Sequence, residues 1–254
     1  DIELYLWSTA SADGAVNNKW LSAYNAVSRC NAALSLLAEV EGIPASDQSR
    51  IRGEALALRA FYHFELWKIF KNIPYYTEED EDFYKTNQGV DALALCVADL
   101  NEAIGLLPPS QNEIGRITSW SAMALKGKIQ VYQEDWSGAL GTLGSVVDSD
   151  VYGLEENFHF AWESTHDNGP ETVIAYQASA NDGSSGGQNA NDPTRLNFPH
   201  SGSPFGCCGF HQPSHNLVNA YKVDANGLPF LDGSWNDTEI APTDVVDPRL
   251  DWTV

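Results

Sequence analysis

Residues 50–76 read RIRGEALALRAFYHFELWKIFKNIPYY, and this stretch decides the fold. Pro74 closes a run with no earlier proline and one glycine, long enough for a helix of more than six turns. Its apolar residues fall on more than one face. Ala55, Leu58, Tyr62 and Ile69 lie along one, and Ala57, Phe61 and Phe64 along another. A helix apolar on several sides is enclosed by neighbours. Phe61, Phe64 and Trp67 are therefore expected between helices as core, not on a ligand surface. His63 and Glu65 stand two apart, so they share no helix face and make a poor catalytic pair.

Neighbouring segments supply partners. In NNKWLSAYNAVSRCNAALSLLAEV, Trp20, Tyr24, Val27, Asn31 and Leu34 recur four and three apart, and Gly42 and Pro44 end the helix. The central helix is expected from about Asp47 to Phe70. A third helix spans 90–107 with the stripe Leu93, Val97, Leu100, Ile104 and Leu107, closed by Pro108-Pro109. A fourth covers about 118–133 and a fifth about 137–148, joined by the short turn QEDW, which makes them antiparallel neighbours. Gly127 permits close approach of the paired helix, Trp136 sits at the turn, and Ala139, Leu143 and Val146 follow at small-then-large spacing. This is a degenerate tetratricopeptide pattern, with Gln130 where tyrosine is preferred. Such pairs must stack to bury their apolar faces. The fold class expected is mainly α: a tetratricopeptide-like helical-repeat scaffold over 17–149, with a loop-rich part at 150–254 and a few short strands, all within one domain of 1–254.

Beyond residue 150 the helical period fades. ETVIAYQAS (171–179) has the β-branched content of a short strand. The following Gly-, Asn-, Ser- and Pro-rich stretch is too long for an ordinary connection, a length usual for functional or disordered loops. A short helix follows at 214–221, with Ser214 as N-cap. Cys30 and Cys96 sit on apolar faces as inert thiols; Cys207 and Cys208 are adjacent in a Gly-rich loop, where a vicinal disulfide is one option.

The 254 residues carry 35 acidic and 14 basic side chains, a net charge of −21. Such a chain repels phosphate backbones, so nucleic acid is not the expected partner. Neither a P-loop nor a GxGxxG string occurs. No carboxylate pair is singled out for acid/base work, so no catalytic residue is assigned. ESTH (163–166) is a lone Glu-x-x-His and reads as a surface turn. No cofactor or metal is assigned; Asp224, Asn226 and Asp232 offer oxygens to calcium, without EF-hand spacing.

The string ALRAFYHFELWKIFKNIPYYTE resembles the SusD/RagB family of outer-membrane glycan-binding lipoproteins. The matching positions are Ala57, Arg59, Ala60, Tyr62, Phe64, Leu66, Phe70, Ile73 and Pro74, with Asn72 at the family's Gly-containing turn. WLSAYNAVSRCNAAL carries the Arg-x-Asn step as Arg29, Cys30 and Asn31. ADLNEAIGLLP, GRITSWSAMALKGKIQVYQEDWSGAL, GFHQPSHNLVNAYKVDANGLP and DPRLDWTV agree with later segments, in order. The resemblance implies a non-enzymatic cell-surface protein of a Gram-negative outer membrane. It implies capture of oligosaccharide and delivery to a SusC-like TonB-dependent transporter. The membrane contact would be a lipid anchor outside this sequence, which is expected to be the N-terminal and central part of a longer protein. The alternative is a helical-repeat scaffold that binds only protein.

A sugar ring packs its C–H face on an aromatic and needs amides or charges at its edge. Aromatics that no helical stripe explains are the candidates: Trp7 in WSTASADGAVNN, Phe205 and Phe210 near Asn197, and Trp235 beside Asn236. The expected glycan-binding set is Trp7, Asn197, Phe205, Phe210, Trp235 and Asn236, with Trp7 and Trp235 facing one side.

Overall fold

The computed structural model describes residues 14–82, 84–176 and 213–253. Contacts divide the chain into two compact units: Asp1–Leu154 with Pro170–Ala175, and Glu155–Gly169 with Tyr176–Val254.

The first unit is a stack of five helices: α1 (Ala15–Glu39), α2 (Ala45–Phe70), α3 (Ala92–Leu106), α4 (Ser119–Tyr132) and α5 (Trp136–Val147). Each packs mainly on its sequence neighbours, with α2 between α1 and α3. Caps explain the starts. Asp91 accepts from Ala94 N–H at 3.0 Å, and Asp135 from Gly138 N–H at 3.0 Å. Thr118 and Ser121 form a reciprocal capping box. These bonds satisfy amide groups that the first helical turn leaves without partners.

The core centres on α2, where Leu56, Ala57, Ala60, His63, Phe64 and Leu66 are sealed from solvent. Small residues set the spacing. A Cβ on Gly53 would lie 2.7 Å from Leu107 Cγ, and one on Gly127 would lie 2.5 Å from Leu143 Cγ. Gly127 is the close-approach point expected from the repeat pattern.

Three expectations need correction. Phe64 is buried, but Phe61 and Trp67 are only partly so, packed against the core's edge. Trp67 keeps a face for the Lys71 ammonium, 3.8 Å from its ring centre. Leu58 and Ile69 are exposed, because the enclosed side of α2 runs through Gly53, Leu56, Ala60 and Phe64, nearly opposite them on the helix. Finally, residues 171–176 form turns and bends instead of a strand, and 177–179 lie outside the described residues. Tyr176 is exposed, and a strand is stable only with a partner to take its backbone hydrogen bonds. Among the described residues the β-structure is two isolated bridges, Lys222 with Val246 and Val223 with Pro229.

The second unit holds 3-10 turns at Phe158–Trp162, Ser164–His166 and Ser234–Asn236, and the short helices α6 (His215–Asn219) and α7 (Leu250–Thr253). Ser214 caps α6, accepting from Leu217 N–H at 3.3 Å. Asn219, buried at 3% exposure, staples the unit: its Nδ2 donates to Asn236 Oδ1 at 3.1 Å, and its Oδ1 accepts from Ile240 N–H at 2.9 Å.

Candidate functional site

A buried cation organises the first unit. Arg59 Nε and Nη2 donate to the two oxygens of Asp99 at 2.7 and 2.8 Å. Its Nη1 donates to Asn31 Oδ1 at 3.0 Å and also to Glu78. Tyr75 Oη donates to Asp99 at 2.6 Å. Burial alone would lower the Arg59 pKa, but Asp99 and Glu78 outweigh it and the pKa is raised. Glu78 is held below the ordinary carboxylate value: burial would raise it, and hydrogen bonds to its own backbone and to Arg59 prevail. One guanidinium therefore ties α1, α2, α3 and the segment after α2 together.

His63, one turn along, does similar work without charge. Its Nδ1 lies 3.0 Å from the Arg59 carbonyl, and its Nε2 accepts from Tyr76 N–H at 3.2 Å. That pairing sets the tautomer, with the proton on Nδ1. The ring stacks on Tyr75, centroids 3.8 Å apart, and burial pushes its pKa down to about 3. A neutral imidazole thus fixes residues 75 and 76 against α2.

Between α1 and residues 74–80 this arrangement leaves a groove of about 540 Å³. Its aromatic wall is Trp20, Tyr24 and Tyr76. Trp20 and Tyr24 have centroids 4.7 Å apart, and Tyr24 and Tyr76 are 5.7 Å apart, edge to face. Tyr24 Oη donates to the Pro74 carbonyl at 2.8 Å, and burial raises its pKa. The small, exposed residues Ser28, Ala32 and Ser35 line its α1 side, and Asn31, Thr77, Glu78 and Asp80 add polar edges. Trp20, Tyr24 and Asn31 share their helical stripe with Val27 and Leu34, and Trp20 and Tyr24 pack against the core's edge. The core face of α1 is Ala23, Val27, Cys30 and Leu34, and Trp20, Tyr24 and Asn31 sit on its flank. A pointer was present: the flank alternates aromatics with Ser28, Asn31 and Ser35, which a core stripe does not.

In the second unit, Trp235 is half-buried in its 3-10 turn and Asn236 is exposed, with its carbonyl oxygen taken by Asn219. Trp7, Asn197, Phe205 and Phe210 lie outside the described residues, as do Cys207 and Cys208. A separate groove of about 420 Å³ is lined by Phe158, Tyr221 and the Asp247–Arg249 pair. Arg249 holds Asp247 at a pKa of about 2. Beside it, His159 stacks on Trp252 with centroids 3.7 Å apart.

The oxygens proposed for calcium are engaged in their own turns. Asp224 accepts from the N–H groups of Asn226 and Leu228, and Asp232 from Ser234. Among the described residues no cluster of three His, Cys, Asp or Glu side chains is placed to hold a metal ion. Glu163, just before the Ser164–His166 turn, lies 3.6 Å from His166, which stacks on Phe160. The buried thiols Cys30 and Cys96 are free, and burial raises the pKa of Cys30 to about 11. Residues 183–187, GSSGG, have the Gly-x-Ser-x-Gly spacing that hydrolases place between strand and helix; they too lie outside the described residues.

Stacked helical pairs followed by an aromatic-bearing, mostly irregular region define a helical-repeat protein with grooves suited to binding. Residues 3–131 match the SusD-like family described as starch-binding and associating with the outer membrane, and the chain belongs to that family. SusD-like protein P38 of Formosa agariphila is 26% identical over 144 residues, covering 55% of this chain and 28% of the relative. A solved laminarin-binding SusD-like protein is 28% identical, with a TM-score of 0.59, covering 65% of this chain and 38% of that one. A SusD-like protein from Bacteroides fragilis shares the fold, with a TM-score of 0.68 at 20% identity over 84% of this chain and 42% of that one. The matches to the two curated relatives each span 28% of the relative's length.

Proposed function

We propose that this protein captures oligosaccharide at the surface of a Gram-negative outer membrane and delivers it to a SusC-like TonB-dependent transporter, held there by a lipid anchor outside this sequence. The observation that carries the reading is the family match over residues 3–131. The similarity to a laminarin-binding protein supports a glycan as ligand. The protein binds without turnover, in keeping with a family of binding proteins. Trp235 and Asn236, and Trp7, Asn197, Phe205 and Phe210, are proposed to contact glycan, each testable singly.

Affinity electrophoresis in gels containing laminarin or soluble starch tests this. Retardation of the protein is expected, with no release of reducing ends and weaker retardation for Trp235→Ala. Reducing ends that persist through purification would overturn the non-enzymatic reading. Co-purification with a TonB-dependent transporter tests delivery.

One observation favours the second reading, a scaffold for protein alone. On α5, Trp136, Leu140 and Val147 are exposed at 64%, 77% and 72%, spaced along one helix side. Transporter capture with no sugar affinity would support it.

A further inference from the structure

The groove between α1 and residues 74–80 belongs to no site expected from the sequence, yet its chemistry is specific. We infer that it seats a neutral oligosaccharide, one pyranose ring against Trp20, Tyr24 and Tyr76, with its hydroxyls on Asn31 and Glu78. The inference rests on the glycan-capture reading and locates one site for it.

The aromatic wall meets the first requirement. Three rings with neighbouring centroids 4.7 and 5.7 Å apart, each partly exposed, give the C–H face of a sugar a surface to stack on. Tyr24 is pinned by its bond to Pro74, and the chain before Tyr76 by His63. The wall is set before a ligand arrives, which reduces the entropy lost on binding.

The polar edge meets the second. Arg59 Nη1 holds both Asn31 and Glu78, and Arg59 is itself gripped by Asp99 at two points. With Asn31 Oδ1 bound to the guanidinium, its Nδ2 is the end left to donate to a ligand. Glu78 retains lone pairs to accept from sugar hydroxyls. A donor amide and an acceptor carboxylate, oriented from beneath by one buried cation, are what vicinal hydroxyls require.

Size and charge narrow the ligand. About 540 Å³ falls within the usual range for small-molecule sites. Of the residues lining the groove, the charged ones are Glu78 and Asp80, and none is Lys or Arg. Glu78 is paired with Arg59 and Asp80 with Lys85, so the lining offers no free cation to a uronate or sulfated sugar, and neutral sugars are preferred.

The test is calorimetric titration of the protein with laminarihexaose, maltohexaose, cellohexaose and an oligogalacturonate hexamer. Two variants probe the groove. Ala32→Trp fills it from an exposed position on α1, and Tyr76→Ala removes one ring while keeping the backbone N–H that binds His63. Thermal melts confirm folding. A neutral hexasaccharide is expected to bind, at least tenfold more weakly to Ala32→Trp and about tenfold more weakly to Tyr76→Ala. The acidic hexamer is expected not to bind. Ligand should slow amide exchange in α1 and residues 74–80. If both folded variants bind a neutral sugar like the parent, the groove is not the site, and glycan capture stands. Preference for the acidic hexamer overturns the neutral class. If the parent binds none of the four hexamers in titration and neither polysaccharide in the gels, inference and functional reading fall together.

Discussion

Asp99 of α3 grips Arg59 of α2 at two points, 2.7 and 2.8 Å, where the arginine is only 4% exposed. The pair joins residues 40 apart in sequence and carries Asn31, Tyr75 and Glu78 with it. Removing one charge of a buried pair leaves the other without compensation, which costs about 3–5 kcal/mol. Asp99→Asn keeps the shape and removes the charge. Urea unfolding should show a loss of about 3 kcal/mol; a loss below 1 kcal/mol would mean that water already screens the pair.

His63 makes stability depend on pH. The unfolded chain binds a proton near the ordinary imidazole value of 6.5, whereas the folded chain refuses it until about 3. The unfolded state therefore holds more protons between those values. Stability present above pH 6.5 is lost as pH falls through the window, at up to about 1.4 kcal/mol per pH unit. Glu65 and Glu78, with lowered pKa values, add to the loss only below the carboxylate range. Unfolding free energies at pH 6.5, 6 and 5 should fall in the parent and stay level in His63→Gln. A parallel fall in both would assign the effect to other groups.

Gly127 and Leu143 form the contact between α4 and α5. A methyl on Gly127 would lie 2.5 Å from Leu143 Cγ. Alanine improves helix propensity by about 1 kcal/mol, but overpacking costs about 1–3 kcal/mol. Gly127→Ala should therefore be destabilising on balance. In a double-mutant cycle with Leu143→Ala, the coupling should reach about 1 kcal/mol or more. Strict additivity would show that the helices part without penalty.

Lys71 ends α2 with φ 59° and ψ −74°, and Asn72 N–H bonds back to Phe70 O at 2.7 Å. This is a γ-turn of the rare, strained kind. The sequence resemblance put the special turn residue at Asn72; the backbone puts it at Lys71. A positive φ costs a lysine about 1–2 kcal/mol, more than the roughly 0.5 kcal/mol of its exposed contact with Trp67. Lys71→Gly should raise the melting temperature by a few degrees. A lowered melting temperature would make the cation over Trp67 the stronger term.

The local pattern alone determined much of this protein. Four-three spacing, helix caps and Pro or Gly stops placed α1 to α5 within about two residues, because hydrophobic period and backbone chemistry are short-range properties. Ser214 and Gly127 were legible for the same reason, one as a cap and the other as a contact. The family was legible through the string from Ala57 to Glu78. The tertiary structure decided which side of each stripe is core. Trp20 and Leu34 share a period on α1, but the first flanks a groove and the second is buried, since neighbouring helices set the direction of burial. It also turned Arg59 and His63 from motif letters into the posts that position Asn31, Glu78 and Tyr76. Those contacts span up to 40 residues, and side-chain pairing at such separation depends on how helices dock, which no local spacing encodes.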